Sequence, residues 1–170
     1  RARAAGAADS GVPDAMGALP GIDVIADFAR RKFGLNVASG LRPGAVTTSG
    51  NPSDHSWGGA VDLSNGSSPT PQMDSAWRWF AKNIGGGGVP SPGVYSGGAI
   101  KQMLYRTMIG GNHFNHVHLA LLPEYAKSAR AVQDLLEGKG VPAGMAGGGA
   151  AATIAQIRKL RAPKSKLGGA

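Results

Sequence analysis

The sequence predicts an α+β domain over residues 21–138, with a small antiparallel sheet and flanking helices. Short segments of alternating apolar and polar residues indicate strands, and longer segments with apolar residues at helical spacing indicate amphipathic helices. The 28 glycines and 11 prolines indicate a high content of loops. Apolar residues make up 42% of the chain, which suffices for one modest core.

The first part of this domain predicts one helix and two strands. Residues 21–34 show an amphipathic helix that ends at Gly34, and "LNVASGLRPG" predicts a strand running into a turn with Arg42 at its exit. "TTSGNPSDHS" has the composition of turns, and "GGAVDLS" alternates as a short strand does. The apolar helix positions are Ile22, Ile25, Ala26, Ala29 and Phe33.

The middle part predicts a second helix and a long loop. Thr70 suits the N-cap position and Pro71 the first helical position, and Gly85 ends the helix. "GGGGVPSPG" then excludes regular structure, and it predicts either a flexible connector or a loop over a groove. The apolar face of the helix consists of Met73, Trp77, Phe80 and Ile84.

The last part predicts a strand and a third helix. The segment "KQMLYRTMI", which lies between the long loop and this strand, fits a strand and a short helix equally well. In "HFNHVHLALL", alternation places His116, His118 and Ala120 on one strand face and apolar residues on the other. Pro123 begins the third helix, which ends at Gly138. The apolar residues are Val117, Leu119 and Leu121 in the strand, and Tyr125, Ala129, Val132, Leu135 and Leu136 in the helix.

The segments that flank the domain differ from it in composition. Residues 1–20 predict an irregular arm, and residues 139–170 predict a glycine- and alanine-rich linker followed by a basic tail. Within that tail, residues 153–166 predict a short helix or the start of a further region. The last twenty residues hold five basic and no acidic residues, so the net charge of +8 falls to about +3 without them.

Composition also excludes several classes of protein. The chain has no cysteine, which excludes disulfide bonds and thiolate metal sites. No run approaches the ~18 apolar residues of a membrane-spanning helix, and no signal peptide is recognisable. The low charge outside the tail, without an arginine–aromatic pattern, argues against specific nucleic-acid binding. Because the chain opens without methionine, we expect a processed product or a segment of a longer protein.

The four histidines lie in two short segments, which indicates shared chemistry. Three lie in "HFNHVHLAL", and the fourth, His55, lies seven residues before Asp62 in "SDHSWGGAVDL". The glycine pair between them permits a bend that brings both side chains to one metal ion. We expect the third ligand from the strand with His116 and His118, and the other histidine left free for proton transfer. This donor set indicates catalytic rather than structural zinc, which more often has four ligands including cysteine.

Two motifs carry a resemblance to a known family. "SDHSWGGAVD" fits Ser-x-His-x-x-Gly-x-Ala-x-Asp at every fixed position, and "HVH" follows downstream. Through these two motifs, the chain resembles the zinc D-alanyl-D-alanine carboxypeptidase family. The resemblance covers roughly residues 35–122. That family of LAS-type zinc peptidases belongs to a wider group with lysostaphin-type endopeptidases and the hedgehog fold. The resemblance implies one zinc ion held by His55, Asp62 and His118, and hydrolysis of peptide bonds in bacterial peptidoglycan.

The resemblance also implies roles for residues around the metal. His116, the first histidine of the His-x-His pair, would assist the water or stabilise the tetrahedral intermediate. Arg42 would face the substrate, where a guanidinium binds a peptide carboxylate or a developing oxyanion, and the alternative is an ordinary surface arginine. Ser53 would orient substrate or brace the ligand loop, and the alternative is a simple turn-forming role. Trp57 would stack on substrate or form a wall of the groove, and the alternative is packing in the core.

One position departs from the pattern of the family. Many members carry an acidic general base three residues before the last zinc-binding histidine, where this chain has Asn115. An amide cannot accept a proton at neutral pH, and the only glutamates, Glu124 and Glu137, lie in the later helix. We therefore expect His116 to be the base. The alternative function is a non-catalytic, zinc-stabilised wall-binding or tail-structural module.

The flanks indicate a biological setting. Alanine- and glycine-rich arms around a compact peptidase resemble a domain embedded in a phage tail tape-measure protein. We therefore expect an extracellular or wall-facing location, on the tail of a phage virion, with peptidoglycan stem peptides and other phage tail proteins as partners. A secreted bacterial enzyme or a phage lysis enzyme is the alternative. The motifs leave open whether a terminal D-Ala is removed or a bond within a stem or cross-link is cut.

Overall fold

The computed structural model describes residues 15–88 and 90–140. Within them, five strands form one antiparallel sheet in the order β1-β2-β5-β4-β3 with flanking helices, which confirms the predicted α+β class. No helix in these two ranges is long and apolar enough to cross a membrane. The strands are β1 Asn36–Ser39, β2 Ala60–Ser64, β3 Val94–Gly97, β4 Ile100–Leu104 and β5 Val117–Leu121. The helices are α1 Pro20–Phe33, α2 Pro71–Asn83, α3 Pro123–Ala126 and α4 Ala129–Leu136, and a 3-10 turn spans Asp54–Trp57.

Both long helices lie where the apolar periodicity predicts them. α1 ends before Gly34, whose φ of 70° lets its backbone N–H reach the last helix carbonyls. α2 follows Thr70, whose hydroxyl oxygen accepts the backbone N–H of Met73 (3.2 Å). α2 ends at Asn83, whereas the sequence predicts that it ends at Gly85, two residues later. Local capping and periodicity therefore suffice to define these two helices.

One face of the sheet belongs to the hydrophobic core. In the register of β2 with β5, Val61 lies opposite Leu119 and Leu63 opposite Val117, and all four side chains are fully buried. They share one apolar cluster with residues of α1 and α2, among them Ile22, Ile25, Trp77 and Phe80. The predicted alternation of β5 is thus confirmed, because Val117, Leu119 and Leu121 belong to this cluster whereas His118 and Ala120 do not.

Two elements differ from their predictions, and one undecided segment is settled. β3 follows the glycine- and proline-rich loop directly, where the sequence predicts no strand, because pairing with β4 stabilises it as an edge strand. "KQMLYRTMI" contributes β4, which pairs with β5 on one side and β3 on the other. The single helix predicted from Pro123 is two helices, because the Ser128 hydroxyl accepts the N–H of Ala131 (3.2 Å) and starts α4 anew.

The last residues of the predicted N-terminal arm pack against the domain. Ala15 is fully buried, and its backbone N–H donates to the Asp23 carboxylate (2.8 Å). The rest of the arm, at residues 1–14, lies outside the described residues. So do residues 141–170, which include the basic tail and its predicted helix.

We expect Thr70→Ala to lower the free energy of unfolding by about 1 kcal/mol, because α2 loses its N-cap acceptor. Urea denaturation measures this change. Thr48→Ala, at an exposed position in a surface turn, is the matched control and should stay within about 0.5 kcal/mol of the parent. Equal effects of the two substitutions would contradict the capping role.

Candidate metal centre

Two of the predicted metal ligands are cross-strand neighbours. Asp62 in β2 lies opposite His118 in β5, and directly opposed residues project from the same face of a sheet. His118 Nδ1 lies 2.9 Å from Asp62 Oδ1, and both residues are buried. The register of two central strands therefore brings together residues that are far apart in the sequence.

The third predicted ligand, His55, reaches this pair from the 3-10 turn before β2. The Ser53 hydroxyl oxygen accepts the His55 backbone N–H (3.3 Å), and the Arg42 N–H donates to the His55 carbonyl (2.8 Å). Gly58 ends the turn with a φ of 77°, a left-handed conformation that glycine adopts without steric cost. These contacts produce the bend that the glycine pair predicts.

Three ligand atoms converge in a small buried triangle. His55 Nε2 lies 3.1 Å from Asp62 Oδ1 and 3.2 Å from His118 Nδ1. Tetrahedral ligands held ~2.0–2.1 Å from zinc are about 3.3 Å from one another, so the observed separations fit one small metal ion. Within the described ranges, this is the one group of histidine and acidic residues whose ligand atoms meet so closely. The triangle can therefore hold a metal ion.

The hydrogen bonds around the triangle favour a cation at its centre. His55 Nδ1 lies 2.6 Å from the Gly40 carbonyl oxygen, which only accepts, so His55 donates from Nδ1 and its neutral ring has its lone pair on Nε2. The ionised carboxylate of Asp62 also presents only lone pairs. Atoms of this kind repel one another at hydrogen-bond distance unless a proton or a metal ion lies between them. A carbonyl that fixes the second ring nitrogen is also typical of metal-binding histidines.

The Asp62 carboxyl is ionised although it is buried. Burial raises its pKa, but the hydrogen bonds and charges of His118 and His55 outweigh burial and hold the pKa well below its usual range. The Arg42 guanidinium lies 4.0 Å from Asp62 Oδ2, and the Arg42 side chain is 55% exposed. The site therefore has an anionic ligand inside and a cation beside it at the solvent boundary.

His116 lies beside the triangle and outside it. Its Nε2 atom is 3.7 Å from Asp62 Oδ1, and its Nδ1 atom is 2.8 Å from Asn115 Oδ1. Burial lowers the pKa of the His116 imidazole below its ordinary value, and the Asp62 carboxylate opposes this only in part. A neutral imidazole in this position can accept a proton, which is the chemistry that the predicted general base needs.

His113 joins the cluster without a role predicted from the sequence. Its buried ring lies 4.9 Å from the His116 ring and 5.7 Å from the His118 ring, measured between centroids. Burial, with the neighbouring His118 and His116, lowers the pKa of His113 to about 4. The crowding of three histidines in nine residues is the one sequence signal for this contact.

Ser53 and Trp57, the candidates for substrate contact, each have a partner within the fold. The Ser53 hydroxyl oxygen caps the 3-10 turn. The half-buried Trp57 indole N–H donates to Asp54 Oδ1 (3.1 Å), and a Cβ on Gly59 would overlap its ring. These contacts match the bracing and turn-forming alternatives for Ser53 and the packing alternative for Trp57, and contact of either side chain with substrate stays a prediction.

In the metal-free protein, we expect the free energy of unfolding to decrease as pH falls from about 6.5 to about 4. His113 is protonated in the unfolded chain over this window and is not in the folded chain, so acid favours unfolding. Urea denaturation at several pH values, with a chelator present, measures the decrease. His113→Phe should make the pH dependence shallower, and an unchanged pH dependence would contradict the assignment.

No family model, no curated protein and no solved structure matches this chain. A function is therefore inferred from the residues of the chain and their geometry. On that geometry, the buried group of His55, Asp62 and His118 is a candidate metal centre.

Proposed function

We propose that this domain is a zinc metallopeptidase that hydrolyses peptide bonds in bacterial peptidoglycan. The observation that carries the proposal is the buried triangle of His55, Asp62 and His118. Two imidazoles and one carboxylate, with a further imidazole beside them, are typical of catalytic zinc. The wall substrate is supported by the resemblance of the two motifs to zinc D-alanyl-D-alanine carboxypeptidases.

Zinc suits this donor set better than magnesium or calcium does. Those ions prefer oxygen ligands, whereas zinc binds imidazole nitrogen and carboxylate oxygen with four-coordinate geometry. Three protein ligands also leave one coordination position for water or substrate. When bound, zinc supplies Lewis acidity, which polarises a carbonyl group and acidifies water.

The residues around the triangle divide the rest of the chemistry. His116 accepts a proton from the attacking water at Nε2 and returns it to the leaving amine, so that one water is consumed and one C–N bond breaks. Arg42, at the solvent boundary beside Asp62, binds a peptide carboxylate or the oxyanion that develops from the carbonyl. The proposed location is extracellular and wall-facing, with stem peptides and phage tail proteins as partners.

A second candidate function is a zinc-stabilised, non-catalytic module that binds the wall or forms part of a phage tail. The observation that favours it is Asn115. This residue is an amide at the position where many zinc D-alanyl-D-alanine carboxypeptidases, which the two motifs resemble, have an acidic base. This module would bind zinc through the same triangle but would release no peptide products.

We expect the protein to bind one zinc ion per chain, measured by titration calorimetry on chelator-treated protein. His118→Ala should weaken binding by more than about 100-fold, because loss of an outer-shell partner alone costs up to that factor. Binding should also weaken in acid, because protons compete for the imidazole ligands. His116→Ala is the matched control: His116 lies outside the triangle, so one zinc ion should still bind. Unchanged binding by His118→Ala would exclude this site.

We expect zinc-loaded protein to release fragments from peptidoglycan, and His118→Ala to release none. His116→Ala should keep zinc and lose about 10²- to 10⁴-fold in rate, the usual contribution of a general base. Mass spectrometry of the fragments identifies the cleaved bond.

The outcomes of this experiment separate the two candidate functions. Cleavage that appears only in Asn115→Asp would show an assembled site without a base. Zinc binding without cleavage by any variant would exclude the peptidase and support the structural module.

A further inference from the structure

We propose that Asn115 is a positioning residue that holds the His116 imidazole with its proton on Nδ1 and its lone pair on Nε2. The use that the site makes of this lone pair rests on the proposed peptidase function. The position of the proton does not, because it follows from the contacts of the two side chains.

The contact between Asn115 and His116 defines where the ring carries its hydrogen. Asn115 Oδ1 lies 2.8 Å from His116 Nδ1. An amide oxygen only accepts hydrogen bonds, so the ring donates from Nδ1. A neutral imidazole has one N–H group, which leaves the lone pair on Nε2. That atom is on the side of the candidate ligands, 3.7 Å from Asp62 Oδ1.

Asn115 is anchored to the strand that carries Asp62. Its backbone carbonyl accepts the hydroxyl hydrogen of Ser64 (2.6 Å), and Ser64 is the last residue of β2. Asn115 also lies two residues before the start of β5, the strand that carries His118. The backbone of Asn115 is therefore held relative to both ligand-bearing strands, and its exposed side-chain amide contacts the His116 ring from that position.

This arrangement explains how the amide of Asn115 can assist proton transfer at a position where an acidic residue would itself be the general base. Asn115 cannot take a proton, but it favours the form of His116 that can. With the hydrogen on Nε2 instead, the nitrogen facing the ligand triangle would have no lone pair for a proton from water. An imidazole base and an amide that orients it thus replace a single carboxylate base.

Nitrogen NMR of the histidine rings tests the proton position. Zinc-loaded protein labelled with ¹⁵N-histidine is measured at about pH 8, above the usual imidazole pKa. The parent should show His116 protonated at Nδ1 and unprotonated at Nε2. Asn115→Leu, of similar size but without an acceptor, should shift His116 toward the form with its hydrogen on Nε2. Asn115→Asp, which keeps an acceptor oxygen, should restore the parent form.

Asn112→Leu is the matched control for these variants. Asn112 lies in the same loop, and its amide oxygen accepts the backbone N–H of Phe114 (3.0 Å), so its loss should leave the His116 form unchanged. The inference is overturned if the parent carries the hydrogen on Nε2, or if Asn115→Leu keeps it on Nδ1.

Hydrolysis kinetics then separate this inference from the proposed function. In an active parent, Asn115→Leu should lower kcat about 10- to 100-fold, the usual effect of an outer-shell partner, with little change in KM. An unchanged kcat in Asn115→Leu would overturn the positioning role. If the parent cleaves nothing while NMR shows the expected forms, the peptidase function fails and the orientation of His116 by Asn115 stands.

Discussion

The antiparallel register of β2 with β5 is the constraint on which the candidate metal centre depends. It opposes Asp62 to His118 on one face of the sheet and Val61 to Leu119 on the other. Because strand side chains alternate, a slip of one residue in either strand would turn the ligand of that strand into the apolar core and its apolar residues away from the core. The hydrophobic core therefore stabilises the geometry of the site, although no core residue supplies a ligand.

His55 depends on hydrogen bonds rather than on the sheet. Its backbone is held by the Ser53 hydroxyl and the Arg42 N–H, and its ring by the Gly40 carbonyl. These contacts order the turn and place a ring hydrogen on Nδ1, so that the neutral ring presents the lone pair of Nε2 to the two strand ligands. Asn115 acts on His116 in the same way, so in both of these rings an acceptor oxygen outside the ligand triangle decides which nitrogen faces it.

Electrostatics give the cluster its division of roles. Burial alone would favour a protonated Asp62, yet the adjacent imidazoles keep it ionised as a ligand. The same burial favours neutral rings in His113 and His116. A buried carboxylate that stays ionised beside imidazoles suits a divalent cation, whose charge can replace the protons that the imidazole ligands lose on binding it.

Sequence patterns alone predict the helices α1 and α2, the strands β1, β2 and β5, and the approach of His55 and Asp62 to a histidine of the His-x-His pair, because caps, alternation and motif spacing depend on residues a few positions apart. The choice of His118 as the third ligand is what the family resemblance implies. Packing in the folded chain was needed to show that β3 pairs at the edge, that His113 packs on the other histidines, and that Asn115 faces His116. Each of these depends on which neighbour the folded chain supplies, because a strand edge, a ring contact and a hydrogen-bond acceptor acquire their partners through packing.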